Sequence, residues 1–321
     1  MTPLGEVGHP RVAILTDETG WHTRKLREAL RRRGFEGRCA DLADCRFDTA
    51  APYGLCIPGF GRRLPVAVIV RGIAGGTLEQ ITKRLGILHA LREMGVPVYN
   101  DARAIERSVD KAMTSFLLAR AGVATPQAWA AESEVEARRV LVREASAGRG
   151  LVLKPVFGSQ GKGLVRVGLV EGQFVPLPDL KDFGRLAYLQ RYVAQPARAG
   201  FDWRVLVVGG RAVAAMQRVS DHWVRNIAQG ARSVAAPLTP ALASLAEQAS
   251  AALGMDYAGV DLLPDPEAPG GATVMEVNGV AAWRGLQKVT SVDIAQAIVD
   301  DLLARRLGLP LGPGLSTRAG S

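Results

Sequence analysis

Apolar residues follow two rhythms along this chain. Through the first hundred residues, short unbroken apolar runs alternate with longer stretches at helical spacing. Val12-Ala13-Ile14-Leu15 reads as a buried strand, residues 21–33 as a helix that Gly34 ends, and Val66-Ala67-Val68-Ile69-Val70 as a second strand. Helical spacing returns over 77–94, Gly95 stops it, and Val96-Pro97-Val98-Tyr99-Asn100 supplies a third strand. Strands alternating with helices predict a small parallel sheet covered by helices. Such open sheets hold ligands at the carboxyl ends of their strands, where Asp17 and Glu18 follow the first one.

A helix over 102–121 comes next. Gly122 punctuates its end and Thr125-Pro126 makes a break. Beyond it the apolar runs shorten and read as mostly antiparallel strands, with helices over 134–147 and 240–253. The expected class is α/β followed by α+β. An N-terminal parallel domain covers 1–100, a linker helix and small lid 101–195, a larger C-terminal lobe 196–308, and a loose Gly/Pro-rich tail 309–321.

Composition narrows the class. With 321 residues, 48% hydrophobic and 22% charged, the chain can build two or three compact subdomains and reads as soluble and globular. No run of about 18 uncharged apolar residues predicts a membrane span. Met1 to Pro10 lacks a basic segment followed by an apolar one, which argues against secretion. Cys39, Cys45 and Cys56 are an odd number without metal-type pairing. A reducing cytoplasm suits them. The net charge of +9 invites a nucleic-acid reading, yet Arg24, Lys25, Arg27, Arg31, Arg32 and Arg33 gather on one predicted helix. A solvated helix face is the usual outcome, a field steering anionic substrates is the other, and no aromatic–basic module accompanies the run.

The densest chemistry lies in Lys154-Pro155-Val156-Phe157-Gly158-Ser159-Gln160-Gly161-Lys162-Gly163, between the apolar runs Leu151-Val152-Leu153 and Leu164-Val165-Arg166-Val167. A glycine loop between two strands, with two lysines, offers backbone N–H groups and ammonium charge to a polyphosphate, so it is a candidate lid over ATP. It is neither a P-loop nor a dinucleotide fingerprint, because both of those open a helix.

Near the C-terminus, Gly259-Val260-Asp261-Leu262-Leu263 and Val274-Met275-Glu276-Val277-Asn278-Gly279 read as two short strands carrying hard oxygen donors. Glu276 and Asn278, two apart, share a face, and Asp261 on a neighbouring strand can meet them. Two carboxylates and an amide oxygen suit magnesium, whose shell water and phosphate complete. Satisfied polar residues at a strand end are the plainer alternative. Between lid and acids, Gln190-Arg191-Tyr192-Val193 can present backbone to an adenine edge, and Asp202 and Arg204 share a strand face. Arg218 and Arg225-Asn226 add groups suited to phosphate or carboxylate.

Taken together and in order, Asp110-Lys111, Lys154-Pro155 with the glycine loop, Gln190 to Val193, Asp202-Trp203-Arg204, Arg225-Asn226, Asp261 and Glu276-Val277-Asn278 resemble the ATP-grasp superfamily, and within it the RimK-like ligases that add glutamate to a carboxylate. The resemblance covers roughly residues 100 to 290. It implies an ATP-grasp fold behind a pre-ATP-grasp domain, with Lys111, Lys154 and the loop Gly158, Ser159, Gln160, Gly161, Lys162, Gly163 around the phosphates. Gln190, Arg191, Tyr192 and Val193 would hold adenine, with Asp202 at the ribose. Asp261, Glu276 and Asn278 would hold two Mg2+ or Mn2+ ions, and Arg204, Arg218 and Asn226 would serve catalysis. The implied reaction passes through an acylphosphate that an amine then attacks.

Gly279-Val280-Ala281-Ala282-Trp283-Arg284-Gly285 and Ala228 depart from that family's usual sequence and argue against a ribosomal-protein acceptor. The first third resembles the branch that glutamylates pterin cofactors such as tetrahydromethanopterin, with Trp21, His22, Arg71 and Trp283 as acceptor-site candidates. The implied reaction adds L-glutamate to a small-molecule, pterin-type, or protein carboxylate; the implied partners are a small carboxylate acceptor and L-glutamate, with a homo-oligomer common in the family. The rival readings are a lysine-biosynthesis-type ligase docking an acidic amino-group carrier protein on the basic helix, and a non-catalytic ATP-binding module.

Overall fold

The computed structural model describes residues 9–158, 161–194, 200–223 and 230–311. The chain divides into two compact units, one made of residues up to 102 with 280–287 and those from 291 on, the other of 103–279 with 288–290.

The first unit opens with β1 (Arg11–Leu15), α1 (Trp21–Arg32), β2 (Glu36–Ala40), the small hairpin β3 (Arg46–Phe47) and β4 (Leu55–Cys56), β5 (Ala67–Val70), α2 (Leu78–Glu93) and β6 (Val98–Tyr99). The sheet order is β2-β1-β5-β6 and every pairing is parallel, as the alternation predicts. Val12 to Leu15 and Ala67 to Val70 have no exposed surface, the condition of strands covered on both faces. β2 escapes notice in the sequence because it is an edge strand with Glu36 and Arg38 on it. Glu36 accepts from Arg38 and from Arg11 of β1.

The helix expected over 102–121 is two helices, α3 (Ala102–Val109) and α4 (Lys111–Arg120). Asp110 between them is extended, and its carboxylate accepts from the N–H groups of Ala112 and Met113 at 2.8 and 2.9 Å. This cap begins a new helix and sets Lys111 at its first position. The lid follows as β7 (Ala128–Ala131), α5 (Glu134–Ser146), β8 (Gly150–Lys154), β9 (Val165–Val170), β10 (Gln173–Val175) and β11 (Ala187–Arg191). They form an antiparallel sheet in the order β10-β9-β8-β11-β7, with α5 packed on Leu151, Leu153 and Leu189. A second antiparallel sheet, in the order β14-β13-β12-β15-β16, comprises β12 (Gly200–Val208), β13 (Arg211–Ser220), β14 (Arg232–Ala235), β15 (Tyr257–Pro264) and β16 (Ala272–Asn278). Helix α6 (Pro240–Leu253) closes its core around Val205, Val260 and Val274.

The chain then returns to the first unit through α7 (Arg284–Gln287) and α8 (Ile294–Leu307). The C-terminal lobe is expected through 308; in the structure α7 and α8 group with the first unit, where α8 packs on α1. Arg32 of α1 donates to Asp293 at 2.8 Å, Arg33 pairs with buried Asp300, and Tyr99 donates to Asp301 at 2.6 Å. Much of the basic run on α1 is thus internal pairing, since Arg24 and Lys25 also meet Glu28. None of the described helices is long and apolar enough to cross a membrane.

Glu144 of α5 is 1% exposed and accepts from Arg149 at 2.6 Å and Arg191 at 2.8 Å. Burial alone pushes its pKa up. The two arginines outweigh that and hold it at about 2. A depressed carboxylate contributes stability above its unfolded pKa and loses it as pH falls through the folded one. Glu144→Gln should therefore remove roughly 3 kcal/mol at neutral pH and flatten the loss of stability between about pH 4.5 and 2, as read by urea unfolding across that range.

Candidate functional site

Within the second unit, the lid and the β12–β16 sheet border a half-open cleft of about 1170 Å³, solvent at its mouth included. Its lid side is cationic. Lys154 ends β8, and its Nζ donates to Gln190 Oε1 on neighbouring β11 at 2.5 Å. Burial, opposed by Glu276 and reinforced by Lys111, lowers its pKa to about 8. Lys111 Nζ donates to Gly158 O at 2.6 Å and stands 3.9 Å from Glu276 Oε1. Its pKa is lowered by burial, against Glu276 and Asp110. The helix cap at Asp110 thus aims a cation at both the glycine loop and the acidic strand.

The loop between β8 and β9 brings Gly158, Gly161 and Lys162 to the cleft wall. Gly161 and Gly163 have φ of 68° and 71°, the left-handed region, and a Cβ on Gly163 would meet Pro155 Cγ at 3.0 Å. Ser159 and Gln160 lie outside the described residues, as do Arg225 and Asn226.

The floor is built by strand register. Arg204 on β12 stands opposite Asp261 on β15, and Asp202 stands opposite Arg218 on β13. Arg204 donates through Nε and Nη2 to the two oxygens of Asp261, the latter at 2.8 Å. Arg218 donates to both oxygens of Asp202 at 2.7 and 2.6 Å, and its Nη2 lies 3.1 Å from Asp261 Oδ2. All four side chains are about one-tenth exposed or less, so their charges balance within a nearly dry quartet. Burial raises the pKa of Asp202 despite Arg218. Asp261 resists the same push because two guanidinium groups face it, and its pKa falls below the ordinary value.

Beside the quartet, Glu276 of β16 pairs in register with Asp261. A bulge after Asp261 carries the register past Met275. Asn278 Nδ2 donates to Gly259 O at 3.2 Å and Asp261 Oδ2 at 3.4 Å, so a cation would be taken by its carbonyl oxygen. No three His, Cys, Asp or Glu side chains converge among the described residues. Two carboxylates and an amide oxygen are hard donors, which fits magnesium or manganese completed by phosphate and water.

At the far end, Tyr192, Val193 and Trp223 line the cleft. The rings of Tyr192 and Trp223 meet edge to face at 6.3 Å, and Arg166 lies 4.3 Å over Tyr192. The N–H groups of Arg191 and Tyr192 donate to Gln127 O and Gly150 O. The Arg191 side chain goes to Glu144. Gln190 Nε2 is buried with no hydrogen-bond partner among the described residues.

The described candidates therefore gather around one cleft, with Arg204 and Asn278 joined through Asp261, Gln190 through Lys154, and Gly163 at the end of the loop. Sequence reasoning missed Tyr188, Met275 and Trp223, which also line it. Tyr188 lies two residues before Gln190 on one strand face, the period-two signal that could have found it. Its hydroxyl meets Ser115 Oγ at 2.7 Å, and burial pushes it up to about 12. Trp21, His22, Arg71 and Trp283 lie together in the first unit. Trp283 N–H donates to His22 Nε2 at 3.1 Å, their rings meet at 4.6 Å, and Arg71 lies 4.5 Å over the Trp283 ring. Burial, then Arg71 and Arg284, lower the His22 pKa to about 4, so the imidazole is neutral at pH 7.

A family model for the RimK-like ATP-grasp domain matches residues 108–302, and one for the RimK PreATP-grasp domain matches 11–105. A tetrahydromethanopterin:alpha-L-glutamate ligase of Methanosarcina acetivorans is 30% identical over 320 residues, covering 90% of this chain and 97% of its own. The protein of that name in Methanococcus maripaludis is 36% identical over 236 residues, 73% of this chain and 77% of its own. A ribosomal protein bS6–L-glutamate ligase of Salmonella newport is 32% identical over 294 residues, 90% of this chain and 94% of its own. Among solved structures, a RimK domain ATP-grasp protein from Sphaerobacter thermophilus is 26% identical with a TM-score of 0.65, covering 91% of this chain and 98% of that one. The ATP-grasp ligase PsnB, solved with minimal precursor, Mg and ADP, shares the fold at 22% identity and a TM-score of 0.67, covering 92% and 97%.

The quartet yields a stability test. Asp202→Ala leaves Arg218 and Arg204 facing a single carboxylate and should cost about 3 kcal/mol in denaturant unfolding. Asp202→Leu combined with Arg218→Met, which removes both charges, should recover most of that loss.

Proposed function

The chain belongs to the RimK-like ATP-grasp family of ligases, and from that premise we propose that it joins L-glutamate to the carboxylate of a small pterin-type acceptor, using ATP to form the carbon–nitrogen bond. The observation that carries this reading is the polarised cleft, with lysines on the lid side, a neutral buried quartet beneath and Glu276 beside it. The pterin acceptor rests on the names of the methanogen relatives and on the departures after Asn278 noted above.

In this reading the acceptor carboxylate oxygen attacks the γ-phosphorus of ATP, ADP leaves, and an acylphosphate forms. The glutamate amine, as its free base, then attacks the carbonyl carbon; the acyl C–O bond breaks with its electron pair on the departing inorganic phosphate, and the nitrogen gives up a proton to water. No protein nucleophile is needed, so the side chains neutralise charge, align groups and exclude water. Lys111 and Lys154 hold phosphate oxygens, and the loop from Gly158 to Gly163 covers them. Val193 supplies the backbone N–H for the adenine edge, since those of Arg191 and Tyr192 are already used, and Tyr192 and Trp223 flank the base. Asp202 serves first to hold Arg218, which with Arg204 faces the charge that develops on the transferred group. Asp261, Glu276 and Asn278 would hold magnesium, which when bound would neutralise phosphate charge.

Phosphate release should require ATP, magnesium, glutamate and one acceptor, offered separately as a reduced pterin, an acidic carrier protein and a ribosomal-protein tail. Mass spectrometry should find a glutamyl addition on the pterin alone. Addition to either protein instead would reassign the acceptor, and no release with any would count against the ligase reading. Glu276→Gln should lower the rate about a hundredfold or more.

Lys154 gives a pH test. Its ammonium form attracts phosphate and prevails below about pH 8, so kcat/KM for ATP should fall as pH rises through that value. Lys154→Arg should remove the fall from that range, because a guanidinium stays charged there.

A further inference from the structure

Asp261 is asked to do two things with one carboxylate. Its oxygens accept from Arg204 Nε and Nη2, and Arg218 Nη2 lies 3.1 Å away. A divalent cation would use the same negative charge and approach the same oxygens. With these side chains 5 to 12% exposed, little water screens the two guanidinium groups from an arriving cation. Asp202 cannot compensate, because Arg218 engages both its oxygens. Glu276 faces another cation, Lys111 Nζ at 3.9 Å. For a metal ion arriving alone, this end of the cleft is therefore acidic in composition and nearly neutral in charge.

A polyphosphate changes that balance. It brings negative charge and planar sets of oxygens that suit the donor fork of an arginine. Arg204 can then leave Asp261 for phosphate oxygens, and the cation can take its place. Arg218 is tied to Asp202 as well, whereas the carboxylate holding Arg204 among the described residues is Asp261. Arg204 is accordingly the mobile member of the quartet.

We propose that Arg204 is a built-in competitor for Asp261, which makes the site discriminate against a free divalent cation and accept one only together with a polyphosphate. The inference rests on the ATP-dependent reading of this cleft. It adds a specificity role to Arg204, distinct from any contact with the reacting groups. Nucleotide and metal enter as one complex, and Asp261 stays covered until they do.

Mn2+ binding, followed by the loss of its free paramagnetic resonance signal, tests this without turnover. Wild type, Arg204→Gln, Arg204→Met and Arg204→Lys are titrated with and without ADP, after melting curves establish which variants fold. Wild type should bind Mn2+ weakly alone and at least about tenfold more tightly with ADP. Removing the charge in Arg204→Gln or Arg204→Met should tighten ADP-free Mn2+ binding about tenfold, the scale of one charge at a partly screened contact, while Arg204→Lys stays near wild type. The two neutral variants back each other up should one fail to fold. If folded neutral variants bind Mn2+ no better than wild type without ADP while wild type still binds it with ADP, the competitor role is overturned and the nucleotide reading stands. If wild type binds no Mn2+ even with ADP, the metal assignment and this inference fall together.

Discussion

Two arginines and two aspartates buried on adjacent strands set the terms for everything else in the cleft. Isolated in a dry interior, any one of these charges would be costly, and a single unmatched pair gains little over an apolar replacement. The antiparallel register of β12 with β13 and β15 removes that cost by placing Asp202 opposite Arg218 and Arg204 opposite Asp261. The same register brings Glu276 against Asp261, and the bulge that follows accommodates Met275. A shift of one residue in this sheet would turn every one of these groups to the other face.

The cations on the lid side depend on different devices. Lys111 begins a helix, where the dipole disfavours a positive charge, and it stays there because Asp110 caps that helix and Glu276 lies within reach. Lys154 is held by a neutral amide, Gln190, and burial of its weakly compensated charge has lowered its pKa. Both lysines are thus kept in a state that an anion would relieve. One wall of the cleft therefore carries incompletely neutralised positive charge, while the opposite wall is balanced.

Local motifs were legible because each carries its own geometry. The glycine loop between two apolar runs had to join strands, and Glu276 with Asn278 had to share a face. What the sequence concealed was longer in range. Asp110 looks like one more polar residue in a helix until its extended backbone is seen. Helix α8 buries residues nearly all round, Asp300 among them, so no clean apolar stripe marks it. The arginines of α1 look like a docking face because their partners, Asp293 and Asp300, lie more than 260 residues away in the chain. The exchange of Arg204 between partners is likewise invisible in a strand pattern, since it depends on which acid the register places opposite.

Acceptor choice follows a different logic from phosphoryl transfer. Neutralising a polyphosphate and a carboxylate calls for the same lysines, arginines and acids whatever molecule bears the carboxylate, so these residues speak for reaction class alone. In the first unit, Trp21, His22, Arg71 and Trp283 are brought together at the carboxyl side of the parallel sheet, where ligands of such sheets gather. There His22 is neutral, accepts from the Trp283 backbone and packs its ring on the indole, while Arg71 is fixed by that indole and by Ala281 O at 2.8 Å. Trp283 is 1% exposed, so its indole serves these two neighbours as a packing surface, apart from the groups that balance charge in the cleft.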